Sequence, residues 1–214
     1  ARSHSEQDTN VTNQNLKILL ATGVAKPGSS WEYIMFIKKI EELQVDYTQM
    51  RDDYEKVISL CLPNGWDTDT IANGTNIHLR GDNFLDTTIN IKSHTDDTSW
   101  EAMLKSMSFW NEQTPNYTSN IIDELSELVG KKFIRARYLC QGPAAGYPVH
   151  VDSSTRYHFP IVTNPYSFLA SVSEDDTIHP VHLPTGNHFY EVDTLSKHFV
   201  YNAGAEPRVH LVIS

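Results

Sequence analysis

The chain has 214 residues, 39% of them hydrophobic and 21% charged, and a formal charge of −10. That length suffices for one well-buried core. The acidic balance, with no basic stripe, excludes a nucleic-acid duplex as the expected partner, because gripping a phosphate backbone takes clustered cations that displace counterions. The longest apolar stretch, Leu16 to Val24, is interrupted by Lys17, Thr22 and Gly23 and falls short of the ~20 apolar residues of a membrane span, so no membrane association is expected.

Residues 1–14 have almost no apolar content and are expected to be a disordered tail. The polar start, Ala1 to Asn10, lacks the apolar core of a secretory signal, so the sequons at Asn10, Asn73 and Asn116 are expected to be chance matches. Cys61 and Cys140 are too few and too widely spaced for a disulfide framework, which points to a reducing compartment and a cytoplasmic location, with a single bridge left open. Asn15 to Ala25 reads as a strand ended by Lys26-Pro-Gly-Ser-Ser, and Trp31 to Val45 fits strand and helix alternations equally. After Asp46, a plausible N-cap, Met50, Tyr54, Val57, Ile58 and Leu62 recur at helical spacing until Pro63-Asn-Gly stops the run. Ile77 to Arg80 and Thr88 to Lys92 read as short strands, and Trp100 to Trp110 and Ser119 to Val129 as helices, the second closed by Gly130.

Beyond that point the pattern changes. Lys132–Cys140, Tyr157–Thr163, Phe168–Val172, Phe189–Val192, Phe199–Asn202 and Arg208–Ser214 are short strand-like runs separated by Gly, Pro, Asn and Asp. Such a series, with no helical pattern between its members, predicts an antiparallel sandwich or barrel. The expectation is a mainly β protein with flanking helices, a single domain over 15–214, in which 15–130 is a helical elaboration and 131–214 is the core with the site.

Within that core, His150-Val-Asp152 places two ligand-type side chains on one side of an extended segment, and His198 follows on a distant strand. Two imidazoles and one carboxylate hold a non-haem iron on one face and leave the other open. Arg208, ten positions beyond His198, can grip the far end of a dicarboxylate. Arg156, His158 and Pro160 share parity with His150 and Asp152, and His198, Asn202, Arg208 and His210 share parity on the later segments. Buried charges of that kind need partners or a ligand. Singly, each has a plainer reading: a surface His-x-Asp pair, a surface salt bridge at Arg208, a core histidine at His158. His179, His182 and His188 compete for the third ligand position. They rank lower because His188 lacks the arginine spacing and the other two flank Pro180 in an expected loop.

The segments Arg156-Tyr-His158-Phe-Pro-Ile-Val-Thr-Asn-Pro, His198-Phe-Val-Tyr-Asn202 and Arg208-Val-His-Leu-Val resemble the aspartyl/asparaginyl β-hydroxylase-like family of 2-oxoglutarate- and Fe(II)-dependent dioxygenases, from Phe133 onward. The resemblance implies a double-stranded β-helix (jelly roll, cupin-like) with helices packed on one sheet. It implies Fe(II) on His150, Asp152 and His198, 2-oxoglutarate held through its C5 carboxylate by Arg208 with help from His158, and Arg156 near co-substrate or substrate. The namesake protein hydroxylases lack the metal-binding carboxylate; Asp152 is shared instead with bacterial relatives that hydroxylate free amino acids, such as proline cis-4-hydroxylase. The implied reaction uses O2 to hydroxylate an unactivated C–H bond of an amino acid, or of an Asp or Asn side chain in a peptide, releasing succinate and CO2. Arg135 and Arg137, on one face if extended, are candidates with Arg156 for the substrate's carboxylates, and Asn202 for its polar groups. The rival readings are the same chemistry on a nucleotide or sugar, a non-catalytic jelly-roll module that binds metal or ligand, and a zinc hydrolase, for which no general base is evident.

Overall fold

The C-terminal half is a succession of short strands, in which successive side chains point to opposite faces. The structure, a computed structural model, describes residues 36–62, 64–66, 76–79, 85–86, 110 and 112–214, all within the compact unit Met35–Ser214. The elements in chain order are β1 (Ile37–Lys39), α1 (Tyr47–Cys61), β2 (Asn76–His78), β3 (Leu85–Asp86), α2 (Asn116–Val129), β4 (Ala136–Gln141), β5 (Ala145–His150), β6 (Arg156–Val162), β7 (Ser167–Val172), β8 (Ile178–Val181), β9 (Tyr190–Val192), β10 (His198–Asn202) and β11 (Arg208–Ile213). The expected tail over 1–14, the strands at 15–25 and 88–92, and the helix at 100–110 apart from Trp110, lie outside the described residues.

Two antiparallel sheets form, one in the order β1-β9-β6-β11-β4-β2-β3 and the other β5-β10-β7-β8. From β4 to β11 the chain passes back and forth between them, which is the winding of a double-stranded β-helix. On β4, β6 and β11 the side chains of Tyr138, Cys140, Tyr157, Phe159, Ile161, Val209, Leu211 and Ile213 join one apolar core with Met50, Tyr54 and Val57 of α1 and Ile122 and Leu125 of α2. Each such fully buried side chain contributes about 1.5–3 kcal/mol.

The helices are fixed at their ends. Asp46 accepts from the backbone N–H of Thr48 (2.9 Å) and Gln49 (3.2 Å), as its N-cap position requires. Helix α2 begins three residues before the expected Ser119, behind Pro115, which offers no capping side chain. Asp53 of α1, only 4% exposed, takes that role: its Oδ2 accepts from the Thr118 backbone N–H (3.1 Å) and hydroxyl (2.9 Å). A cap supplied by another helix leaves no local sequence signal. Gly130 closes α2 at φ 65°, a left-handed conformation suited to glycine.

Three strands depart from the sequence expectation: the two-residue β3, and β5 and β8, which each contain a proline. β5 was not among the expected strands, and Pro180 was expected in a loop; it sits in β8. Both strands are edges of the small sheet, where a residue without an N–H costs no ladder bond and discourages pairing with another chain. Cys61 and Cys140 are free thiols, so the single bridge left open does not form. No helix among the described residues is long and apolar enough to cross a membrane.

Candidate metal centre

The register of the small sheet sets His198, the first residue of β10, directly opposite His150, the last of β5. Val200 pairs with Tyr147, so Pro148 and Val149 together face Phe199 alone. This β-bulge inserts one residue and reverses the parity of β5 beyond it, which turns His150 to the same inner face as His198. Asp152 follows just past the strand, its backbone N–H donating to the carbonyl of Thr194 (2.8 Å).

The three ligand-type atoms lie within 4.8 Å of one another, the one such cluster among the described residues. The Nε2 of His198 is 3.4 Å from Asp152 Oδ2, and the Nε2 of His150 is 3.9 Å from Asp152 Oδ1. Each imidazole donates from Nδ1 to a backbone carbonyl two residues back: His150 to Pro148 (2.8 Å) and His198 to Ser196 (2.9 Å). In the neutral ring that tautomer leaves the lone pair on Nε2, aimed at the carboxylate. Arg156 donates to Asp152 Oδ1 (2.5 Å), while the buried Oδ2 has no hydrogen-bond partner. Burial works to raise the Asp152 pKa, but His198, Arg156 and His150 outweigh it and hold the carboxyl below its ordinary value. Three ligand-type side chains converging at this spacing fit a divalent cation, whose ligands at about 2.0–2.2 Å stand roughly 3–4 Å apart.

The large sheet supplies the facing wall. Val212 pairs with both His158 and Arg137, so these occupy one row, with Arg208 four residues further along β11. Arg208 is 1% exposed; its Nη2 donates to His210 Nδ1 (2.8 Å), and its Nη1 has no partner. Burial pushes its pKa down to about 10, which leaves it charged at neutral pH. His158 and His210 are buried, and burial together with Arg208 holds both well below the ordinary histidine value, so both are neutral. Arg137, 8% exposed, has no hydrogen-bond acceptor for its buried Nε; burial, Arg135 and Arg156 lower its pKa.

The structure therefore brings His150, Asp152, His198 and Arg156 into direct contact, with Arg208, His158 and Arg137 around them, and Arg135 near Arg137. Asn202 is not available as expected. Its Nδ2 donates to the carbonyls of Gln141 (3.2 Å), Gly142 (3.0 Å) and Glu206 (2.8 Å), and its Oδ1 accepts from Asn164 (3.0 Å) and the Gly204 N–H (3.2 Å). A fully satisfied buried amide pins the β10–β11 turn and has nothing left for a substrate. His179, His182 and His188 stay out of the metal cluster; His182 Nδ1 donates to the Ser167 carbonyl (2.9 Å).

Tyr147 was missed. It is 41% exposed on β5 and stands within electrostatic reach of Arg137, Arg156 and Arg208. Strict alternation would put Tyr147 on the face opposite His150; the bulge returns both to the inside, and nothing in the residue types announces it. A separate concavity of about 700 Å³ lies between α1 and the start of α2, but its buried charge, Asp53, is occupied in capping α2.

No protein-family model and no curated protein sequence matches the chain. Among solved structures it is similar to a prolyl-4-hydroxylase of Pseudomonas putida, at 11% identity over 83% of this chain and 90% of that one, with a TM-score of 0.45. It is similar to an oxidoreductase of the 2OG-Fe(II) oxygenase family from Burkholderia pseudomallei, at 11% identity, 47% and 56% coverage and a TM-score of 0.38. A cupin domain from Bordetella pertussis matches at 16% identity over 37% of this chain and 78% of that one, with a TM-score of 0.31.

Proposed function

We propose that this chain is a 2-oxoglutarate- and Fe(II)-dependent dioxygenase that hydroxylates an unactivated C–H bond of an amino acid, free or as an Asp or Asn side chain in a peptide. The observation that carries the reading is the clustering of one ligand-type atom each from His150, His198 and Asp152 within 4.8 Å of one another, with the half-satisfied guanidinium of Arg208 buried in the facing wall. His150, Asp152 and His198 would hold the iron, which with O2 and the co-substrate supplies the oxidising power, the co-substrate leaving as succinate and CO2.

The remaining work belongs to the chain. The backbone carbonyls of Pro148 and Ser196 fix both imidazole tautomers, and Arg156 orients the carboxylate so that Oδ2 stays free. Arg208 Nη1 offers a buried donor to the far carboxylate of a dicarboxylate, where burial strengthens a charge-assisted bond. Arg137 lies at the opposite end of β11's row from Arg208, which suits a substrate group entering from the other side of the metal. Arg137 and Arg156 both face the carboxylate of Asp152, and Arg208 lies buried beside His158 and His210. A divalent ion and a dianionic co-substrate cancel each other, so the cationic surplus favours a substrate that brings a carboxylate of its own. Every group in this reading falls within 131–214, and the free thiols Cys61 and Cys140 suit a reducing, cytoplasmic setting.

The test is paired. Mn(II) binding followed by electron paramagnetic resonance, and succinate formation from 2-oxoglutarate by the iron-loaded protein, should both vanish in His198→Ala. Arg208→Ala should keep the metal and weaken 2-oxoglutarate by at least about thirtyfold, the lower end of the ~2–5 kcal/mol cost of losing one partner of a buried charge pair. Metal binding that persists in His198→Ala would sink the assignment, and metal binding without turnover on amino acids or peptides would make the fold a binding module.

A further inference from the structure

Arg208 is held by a residue that has no place among the metal ligands. Its Nη2 lies 2.8 Å from His210 Nδ1, and the same nitrogen lies 3.4 Å from His158 Nδ1. A guanidinium only donates, so His210 Nδ1 must carry a lone pair, and the single proton of the neutral ring must sit on Nε2. His158 Nδ1, facing that lone pair, must then carry its own proton, since two bare nitrogens at that distance would repel. Both assignments follow from one fixed donor, without appeal to the hydrogens themselves.

We propose that His210 is a positioning residue: by accepting from Nη2 it locks the Arg208 guanidinium so that Nη1 alone is presented to an anion, and it forces His158 to turn an Nε2 lone pair toward the metal chamber. The inference deepens the dioxygenase reading and rests on it for the identity of the anion, the distal carboxylate of a 2-oxo dicarboxylate. Several observations agree with it. Arg208 Nη1 and His158 Nε2 are buried without partners, as groups reserved for a ligand would be, and His210 Nε2, which carries the proton in this arrangement, is likewise buried without a partner. His210 is 1% exposed and lies among Arg208, His158 and His182, each of which makes a charge on His210 costlier, so the acceptor form persists. His210 and Arg208 sit two apart on β11 and thus share a face, whereas Val209 and Leu211 between and beyond them enter the apolar core.

Two measurements test it. Long-range proton–nitrogen correlation spectra of the metal-free wild-type protein should show a pyridine-type Nδ1 and a pyrrole-type Nε2 at His210, with the reverse pattern at His158. A protonated His210 Nδ1 would overturn the proposal, and this result is independent of any ligand. Calorimetry with Mn(II) should then show that His210→Leu weakens 2-oxoglutarate by about tenfold, the loss of one hydrogen bond to a charged group, while pyruvate, which lacks the distal carboxylate, binds as to wild type. His210→Asn, which keeps an acceptor near the Nδ1 position, should recover most of the loss. Equal weakening of both ligands, or of neither, would reduce His210 to a packing residue. If wild-type protein binds no 2-oxoglutarate at all, the dioxygenase reading fails, and the spectra still decide whether His210 orders Arg208.

Discussion

On β4, β6 and β11 the two faces of one sheet are both buried, yet they are chemically opposite. Outward, toward α1 and α2, stand Tyr138, Tyr157, Phe159, Ile161, Leu211 and Ile213. Inward, toward the small sheet, the same strands carry Arg137, Gln141, Arg156, His158, Arg208 and His210, several with polar atoms that no other group satisfies. The first face gains from burial; the second pays desolvation for groups that only a ligand would complete. Stability and function are thus assigned to alternate residues of the same strands, a division that the two-residue period makes possible.

The most severe way to probe that division is from the apolar side. Phe159 is fully buried and stacks near Tyr47 and Phe189, with ring centroids 6.3 and 5.1 Å away. Phe159→Ala should cost about 3–5 kcal/mol in chemical denaturation, while Mn(II) affinity, measured where the variant is folded, should stay within a few-fold of wild type. A variant that lost metal affinity without losing stability would break the separation of the faces.

The opposite substitution should have the opposite sign. Arg208→Met combined with His210→Leu replaces a buried, half-satisfied guanidinium and its acceptor together with apolar side chains, and is expected to raise unfolding free energy by about 1–2 kcal/mol while abolishing 2-oxoglutarate binding. Thermal and denaturant unfolding of the variant beside wild type would show it. A loss of stability would mean that Arg208 is structural, and that its contact with His210 matters more to the fold than to a ligand.

The sequence made this inner face largely readable. His150, Asp152, His198, Arg156, His158, Arg208 and Arg137 were singled out by residue type and parity, an antiparallel sandwich or barrel followed from the run of short strands, and the jelly roll from the family resemblance. What stayed hidden depended on contacts made elsewhere in the chain. The cap on α2 comes from Asp53, 65 positions before Thr118, and the strand character of β5 and β8 was masked by Pro148 and Pro180, which read as breakers unless the strand is known to be an edge. Asn202 shared the parity of the site but is consumed by the turn beyond β10, and Tyr147 reaches the inner face only through a bulge. Period-two reasoning identifies a face; it does not register an inserted residue or tell whether a polar group on that face is already satisfied.

A third probe separates the faces by pH alone. His158 and His210 are buried and held well below the ordinary histidine value of 6.5 by burial and by Arg208. In the unfolded chain both take a proton as pH falls through about 6.5, whereas the folded protein excludes it, so the unfolded state binds more protons and stability must fall with pH in that range. The contribution is intact above the unfolded value and declines below it, by up to ~1.4 kcal/mol per pH unit for each ring. Denaturation midpoints between pH 7 and 5 should show this decline, and replacing both rings, as His158→Gln with His210→Asn, should flatten it. Phe159→Leu, on the other side of the same sheet, should lower the whole curve and leave its slope unchanged. A slope that survives removal of both histidines would place the acid sensitivity outside the cationic face and leave that face without a measurable proton-linked cost.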